Sequence, residues 1–187
     1  MIDSFYTKKI GMTQVFDQAG LAVPVTVLQL MDNKIVGYRD QQKDGYQAYR
    51  VEYQLKPKKS LIRESRVDSD LDQSIKSIDL SILEVGSMIN AQATSRGRGF
   101  IGTIKRYNFK RGPMTHGSHN KRRPGSIGSL YPQHVFKGQK MAGRGGQDNA
   151  TIKNLEVIEL DQENNLILVK GSVPGKSKAI VRLEVVR

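Results

Sequence analysis

Between residues 85 and 147 the chain carries twelve lysines and arginines and no aspartate or glutamate. The cations are Arg96, Arg98, Lys105, Arg106, Lys110, Arg111, Lys121, Arg122, Arg123, Lys137, Lys140 and Arg144. Residues 1–84 hold twelve basic and twelve acidic residues and residues 148–187 hold six of each, so this internal stretch carries the whole net charge of +12. It also holds 12 of the 18 glycines and all three histidines, and Leu, Ile and Val thin out after Ile104. Such a stretch cannot bury enough apolar surface to offset about 1 to 2 kcal/mol of lost backbone entropy per residue. Its shape has to come from a partner. Charge by itself draws the chain to nucleic acid, anionic lipid or acidic protein without choosing among them.

Three details favour nucleic acid over a solvated tail. The run is internal, so folded chain holds both of its ends, and it lacks the acids that usually lace a solvated face. It also interleaves Tyr107, Phe109, Tyr131 and Phe136 among the cations. Aromatic rings beside Arg and Lys stack on unpaired bases while the cations take phosphates. The candidate RNA contacts are therefore the twelve cations with Tyr107, Tyr131, His116, His119 and His134. Gly97, Gly99, Gly102, Pro124, Gly125 and Gly128 are candidates for shaping the backbone, since glycine permits turns and a close approach to phosphate.

The flanks read as a β body. At 187 residues the chain suits one domain, or one with an appendage. Tyr49, Val51, Tyr53 and Leu55 alternate with Arg50, Glu52 and Gln54, the pattern of a half-buried strand. Residues 21–31 are rich in Val and Leu, and Pro24 argues for an edge strand or a late start. Further short strands are expected at 5–7, 13–16, 35–40, 78–82, 155–160, 166–170 and 180–185, divided by turn residues such as Asp44-Gly45 and Pro174-Gly175. Several short strands at this spacing indicate a barrel or a sandwich, and periodicity does not choose between them. No long amphipathic helix is evident, and residues 56–74 read as a polar loop or a reduced subdomain.

The absence of cysteine excludes disulfides and thiolate metal sites. No apolar run approaches the roughly 18 residues a membrane span needs. The N-terminal residues resemble neither a secretory signal nor a transit peptide, so a cytoplasmic location is expected, although a matured organellar protein would look the same.

Little of the sequence calls for catalysis. Gly97, Gly99 and Gly102 spell G-x-G-x-x-G, but a dinucleotide fingerprint needs a strand before it, a helix after it and an acid about 20 residues on. The next acid is Asp148. His116 and His119 have an H-x-x-H spacing, yet Gly117 breaks a helix there and no Cys, Asp or Glu stands nearby to complete a metal shell. Every histidine lies in the acid-free stretch, which argues against a local hydrolytic triad. The carboxylates of Asp68–Asp72 lack the apolar surroundings that raise a pKa for acid catalysis. The expectation is a non-enzyme with no cofactor, metal, membrane or small-molecule substrate.

The residues also carry a family resemblance. Leu83, Asn90, Ala93, Ser95, Gly97, Arg98, Gly99, Gly102 and Arg106 resemble the signature of large-subunit ribosomal protein three, the universal ribosomal protein uL-three family, in its bacterial form. The likeness continues through KRYNF (105–109), THG (115–117), RRPGSIG (122–128), VFKGQKMAG (135–143) and LILVKGSVPG (166–175), and KKIGMTQVF (8–16) fits as well. The resemblance implies a mainly β fold: a six-stranded, closed Greek-key barrel like that of elongation factors, formed by residues 1–106 and 147–187, with a reduced insert about 56–74. It implies a long, basic, largely irregular extension over 107–146 that threads between rRNA helices toward the peptidyl transferase centre. It further implies a structural constituent of the large ribosomal subunit that binds the large-subunit (23S-type) rRNA, nucleates assembly and neighbours large-subunit proteins fourteen and nineteen. The chain departs from the family pattern in three places. Tyr107 stands where many bacterial members have Trp, the stretch around 56–74 is shortened, and SLYPQH (129–134) is one residue short, so Gln133 does not inherit the role of a glutamine methylated in some relatives.

Overall fold

A computed structural model describes residues 4–67 and 75–186. The chain divides into two compact units: residues up to Ser95 together with those from Asn149 onward, and Arg96–Asp148. The strands in chain order are β1 (Ser4–Phe16), β2 (Ala22–Leu30), β3 (Asn33–Arg39), β4 (Ala48–Lys56), β5 (Lys59–Arg66), β6 (Met88–Thr94), β7 (Gly99–Ile101), β8 (Gly143–Gly145), β9 (Asn149–Asp161), β10 (Leu166–Lys170) and β11 (Ile180–Val185). Two helices of one turn accompany them, α1 (Gln41–Asp44) and α2 (Thr103–Tyr107).

In the first unit six strands pair in the cyclic order β1-β11-β6-β9-β10-β2, a closed barrel in which each neighbour is antiparallel. Closure satisfies both edges of every strand and leaves no open ladder for another chain. Each strand sends at least one large side chain inward: Phe5, Leu28, Ile89, Val157, Ile167 and Leu183 are all at most 2 % exposed. Burying side chains of this size contributes about 1.5 to 3 kcal/mol apiece. Strands β3, β4 and β5 form a second antiparallel sheet. Tyr49, Val51 and Tyr53 of β4 join the same buried cluster, with the Tyr53 ring edge-on to Tyr6 at 5.2 Å. Ser65 of β5 donates its hydroxyl to the Ser4 carbonyl at 2.6 Å, tying this sheet to β1.

The β4, β10 and β11 spans fall where alternation and composition predict them, and the other differences have physical causes. The stretches 5–7 and 13–16 belong to one strand, because a bulge between Lys9 and Gly11 lets β1 shift register and continue. Pro24 sits within β2 rather than at its start, opposite Gln14 of β1. The β10 ladder ends at Val25, so Pro24 has no amide to supply on that side, while its carbonyl accepts from Gly171 at 2.8 Å. Residues 59–66 form β5 instead of loop. Leu61 and Ile62 are adjacent and spoil the alternation, and pairing with β4 makes the strand. Residues 78–82 are not a strand: Leu80–Ile82 is a 3-10 turn. Asn33 takes the place of a neighbouring strand there, accepting from the Ile78 amide at 2.6 Å and donating to its carbonyl at 2.9 Å. Asp68–Asp72 and the remainder of 68–74 lie outside the described residues.

Every member of the buried cluster falls between Phe5 and Ala93 or between Val157 and Leu183, so no core side chain comes from 96–148. Thr94 and Asn149 are partners in the β6–β9 ladder, which places the two ends of the body's chain break side by side. Replacing residues 96–148 by a short Gly-Ser linker is therefore expected to leave cooperative thermal unfolding within about 5 °C of the full chain, a shift worth roughly 1 to 2 kcal/mol at this size. Circular dichroism melting checks it, and loss of the transition would place the segment in the core.

Candidate nucleic-acid interface

Residues 96–148 have almost no interior. Thr103 is the single buried residue among them. What order there is comes from close backbone approach. Strands β7 and β8 pair over three residues, Gly99 with Gly145, Phe100 with Arg144 and Ile101 with Gly143, and the Arg98 amide extends the ladder to the Gly145 carbonyl at 2.8 Å. Helix α2 starts at Gly102 and stops at Asn108, whose φ of 58° is left-handed. The Ile101 side chain lies over Gly145 and the Arg106 guanidinium over Gly143, each occupying the space a Cβ would need. Arg106 Nη1 then donates to the Met141 carbonyl at 3.0 Å. Gly146, at φ 72°, brings its α-carbon so close to the Arg96 carbonyl that a Cβ would collide with it.

All twelve cations are exposed, as are His116, His119, His134 and Tyr131. Tyr107 is half-buried. The Arg106 guanidinium carbon lies 5.1 Å and Lys140 Nζ 5.7 Å from its ring centre, and the Phe109 ring is 6.3 Å away. The Tyr107 ring thus gathers two cations, each contact worth about 0.5 to 1 kcal/mol at an exposed site. Arg98, Lys105, Arg106 and Arg144 line a hollow of about 330 Å³ with Asp148 at its margin. Lys105 also borders a second hollow of about 460 Å³ with Arg111 and Arg122. Arg96, Lys110, Lys121, Arg123, Lys137, His116 and His119 line neither. All of these cations lie on open surface with no dry interior beneath them.

The backbone candidates divide. Gly99 and Gly125 have φ of 69° and 82°, and a Cβ at Gly97 would press on Gln147 at 3.1 Å. Gly102 and Gly128 have open space and ordinary φ. The glycines with the tightest surroundings, Gly112, Gly143, Gly145 and Gly146, are not among these candidates, although the run AGRGG signals the last three. Also missed were two exposed apolar side chains, Phe100 and Leu130, at 76 % and 89 % exposure, while Phe136, one of the aromatics interleaved with the cations, is 62 % exposed.

Other chemistry finds no support in this geometry. Of the glycines of GRGFIG, Gly97 precedes β7, Gly99 opens this three-residue antiparallel strand and Gly102 follows it, and α2 has five residues, so the strand-loop-helix order of a dinucleotide site is absent. Among the described residues no three His, Cys, Asp or Glu side chains gather as a metal site, and no helix is long and apolar enough to cross a membrane.

A closed β barrel whose chain is interrupted by an exposed stretch of twelve cations without an acid defines a class: a small β protein with one concentrated positive segment, the charge pattern of polyanion-binding proteins. The comparisons narrow that class. The model of the family Ribosomal protein L3 matches residues 60–165, a span that contains the entire cationic segment. A protein of Guillardia theta named large ribosomal subunit protein uL3c is 41 % identical, covering 94 % of this chain and 96 % of its own length. Proteins named large ribosomal subunit protein uL3 from Heliobacterium modesticaldum (40 % identity; 95 % of this chain, 93 % of the relative) and Brevibacillus brevis (42 %; 93 % and 92 %) are similar to the same extent. The chain belongs to the ribosomal protein L3 family.

The Gly146 contact generates a local prediction. Gly146→Ala forces a left-handed φ on a residue with a Cβ and drives that Cβ into Arg96, a strain of about 1 to 3 kcal/mol. Hydrogen exchange at the Arg98 amide is expected to accelerate roughly 5- to 100-fold, while barrel amides such as Val181 keep their protection. Unchanged exchange at Arg98 would show that the β7–β8 ladder does not depend on this approach.

Proposed function

We propose that this chain is a structural constituent of the large ribosomal subunit and that residues 96–148 seat it in the large-subunit (23S-type) rRNA. The observation that carries this reading is the exposure of all twelve cations between Arg96 and Arg144, a stretch without an acid, in a member of the ribosomal protein L3 family. Phosphates from rRNA helices that converge on the segment repel one another. Lysine and arginine side chains placed between them neutralise the repulsion and release condensed counterions, which favours compaction. The barrel acts as the folded holder of both segment ends.

The finer features follow from family membership and the charge pattern together. The barrel has the Greek-key, elongation-factor-like arrangement, and the extension proper runs over 107–146 toward the peptidyl transferase centre. Binding occurs early and nucleates assembly, with large-subunit proteins fourteen and nineteen as neighbours. The chain contributes no catalytic group; the exposed His116, His119 and His134 serve as hydrogen-bonding partners for RNA.

A salt titration tests the reading. If half of the twelve cations bind phosphate, log K for the large-subunit rRNA falls by about 4 to 5 units per tenfold rise in salt, at about 0.7 to 0.9 per contact. Filter binding from 50 to 500 mM potassium chloride measures it. A slope near zero would remove the electrostatic basis of the proposal.

A further inference from the structure

The cationic segment is not uniformly cationic. Residues 124–136, PGSIGSLYPQHVF, contain no Lys, Arg, Asp or Glu and form the longest uncharged run between residues 85 and 147. The same run exposes Ile127, Leu130, Tyr131, Val135 and Phe136, with Leu130 at 89 % and Tyr131 at 86 %. Apolar side chains this exposed have no packing role in the chain that carries them. Their presentation is nonetheless ordered by local bonds. Ser126 Oγ donates to the Gly128 carbonyl at 2.9 Å and Ser129 Oγ to the Tyr131 carbonyl at 2.6 Å. His134 Nδ1 lies 3.1 Å from the Pro132 carbonyl, and the His134 ring meets Phe136 edge-on at 5.7 Å. The polar groups turn back on their own backbone, which leaves the apolar ones facing outward.

Lys121, Arg122 and Arg123 precede the run and Lys137 and Lys140 follow it. A polyanion selected by those flanks has two kinds of surface, its charged backbone and the uncharged faces of its bases. An uncharged apolar surface gains nothing from phosphate and loses by desolvating it, whereas a base face offers stacking area of matching polarity. Duplex RNA hides its base faces, so the complementary element is a set of unpaired bases.

We propose that residues 124–136 are a base-stacking contact, so that the segment is divided into arms that bind phosphate and an uncharged stretch that holds unpaired bases of the rRNA through Leu130, Tyr131 and Phe136. This rests on the reading that the segment faces rRNA, and it adds a salt-independent part to the affinity. Tyr107, with Arg106 and Lys140 against its ring, belongs to the arms. Tyr131 belongs to the stacking contact.

The test uses the full chain and intact large-subunit rRNA, titrated across salt. The variant Leu130→Ser/Tyr131→Ala/Phe136→Ala alters exposed side chains, and its melting curve reports whether the barrel is intact. It is expected to bind at least about tenfold more weakly at every salt concentration with an unchanged slope, since each lost stacking contact is worth a factor of roughly five or more. Tyr131→Phe, which keeps the ring, is expected to bind like the parent. Arg122→Gln/Arg123→Gln is expected to do the opposite of the triple variant and lower the slope by about 1.4 to 1.8. Parent-like affinity in the triple variant, or a changed slope, overturns the stacking contact while leaving the electrostatic reading in place. Parent-like rRNA binding with lost co-sedimentation on large-subunit particles also overturns it and assigns the stretch to a protein neighbour. Absence of salt-dependent binding in the parent overturns both readings.

Discussion

The segment's structure depends on unrelieved repulsion among like charges. Twelve cations share 49 residues between Arg96 and Arg144 with no acid among them, and Thr103 is the only side chain they bury. Each close pair costs on the order of 1 kcal/mol at 4 Å in water, and salt screens it only beyond about 10 Å. Against this stand a three-residue ladder, one turn of helix and the gathering of Arg106 and Lys140 on Tyr107. These elements set local geometry, and they are too few to compact 53 residues on their own. Under the proposed reading the rRNA supplies the negative charge that balances the segment, and its acid-free composition and its lack of a core then have one cause.

The body shows the reverse arrangement. Its barrel ladder closes on itself, every strand of the barrel contributes to one buried cluster, and its charges nearly cancel. Its ion pairs are local: Arg39 with Asp44 at 2.7 Å and with Glu64 at 3.1 Å, and Lys170 with Glu156 at 2.8 Å. Glu64 also accepts from Tyr46 at 2.8 Å, and that hydrogen bond, followed by the one from Arg39, holds its carboxyl below the usual range. Exposed pairs of this kind contribute little to stability. They do keep the body's field small, so the positive field of the molecule originates in one stretch of chain. The β6–β9 ladder, with Thr94 opposite Asn149, then fixes the separation of that stretch's two ends without using any side chain of the segment.

Most of this division was legible in the sequence, because charge balance and alternation are local properties. Tyr49, Val51 and Tyr53 announced β4 by period two, and the acid-free stretch 85–147 takes in all of the unit Arg96–Asp148 but its last residue. What escaped depends on partners. β6 buries Ile89, Ala91 and Ala93, and alanine gives too weak an apolar signal to declare a strand before its neighbours β9 and β11 are known. β5 exists because β4 offers it an edge. The 3-10 turn at Leu80 carries apolar residues at strand-like spacing, but the side chain of Asn33 supplies what a strand would have. Within the segment, Tyr107 read as a stacking platform from its neighbours in sequence, whereas the fold brings Lys140, 33 positions away, onto its ring.

The exclusion of acids from the segment goes further than raising its net charge. A single Glu among these cations would pair with the nearest Arg or Lys, gain at most about 1 kcal/mol as an exposed bridge, and withdraw that cation from any phosphate. The loss is doubled, since the carboxylate itself repels the polyanion. Uncharged residues have neither effect, so the sequence interrupts its basic runs with Gly, Ser, Pro and apolar side chains instead, most extensively at 124–136. Beside glycine where the backbone must approach closely, as at Gly146, and cations along the exposed length stand uncharged polar and apolar side chains. The exposure of the apolar ones follows from the same constraint: a segment that cannot hold an interior of its own leaves every type of side chain it has on the surface, where the proposed rRNA would meet them.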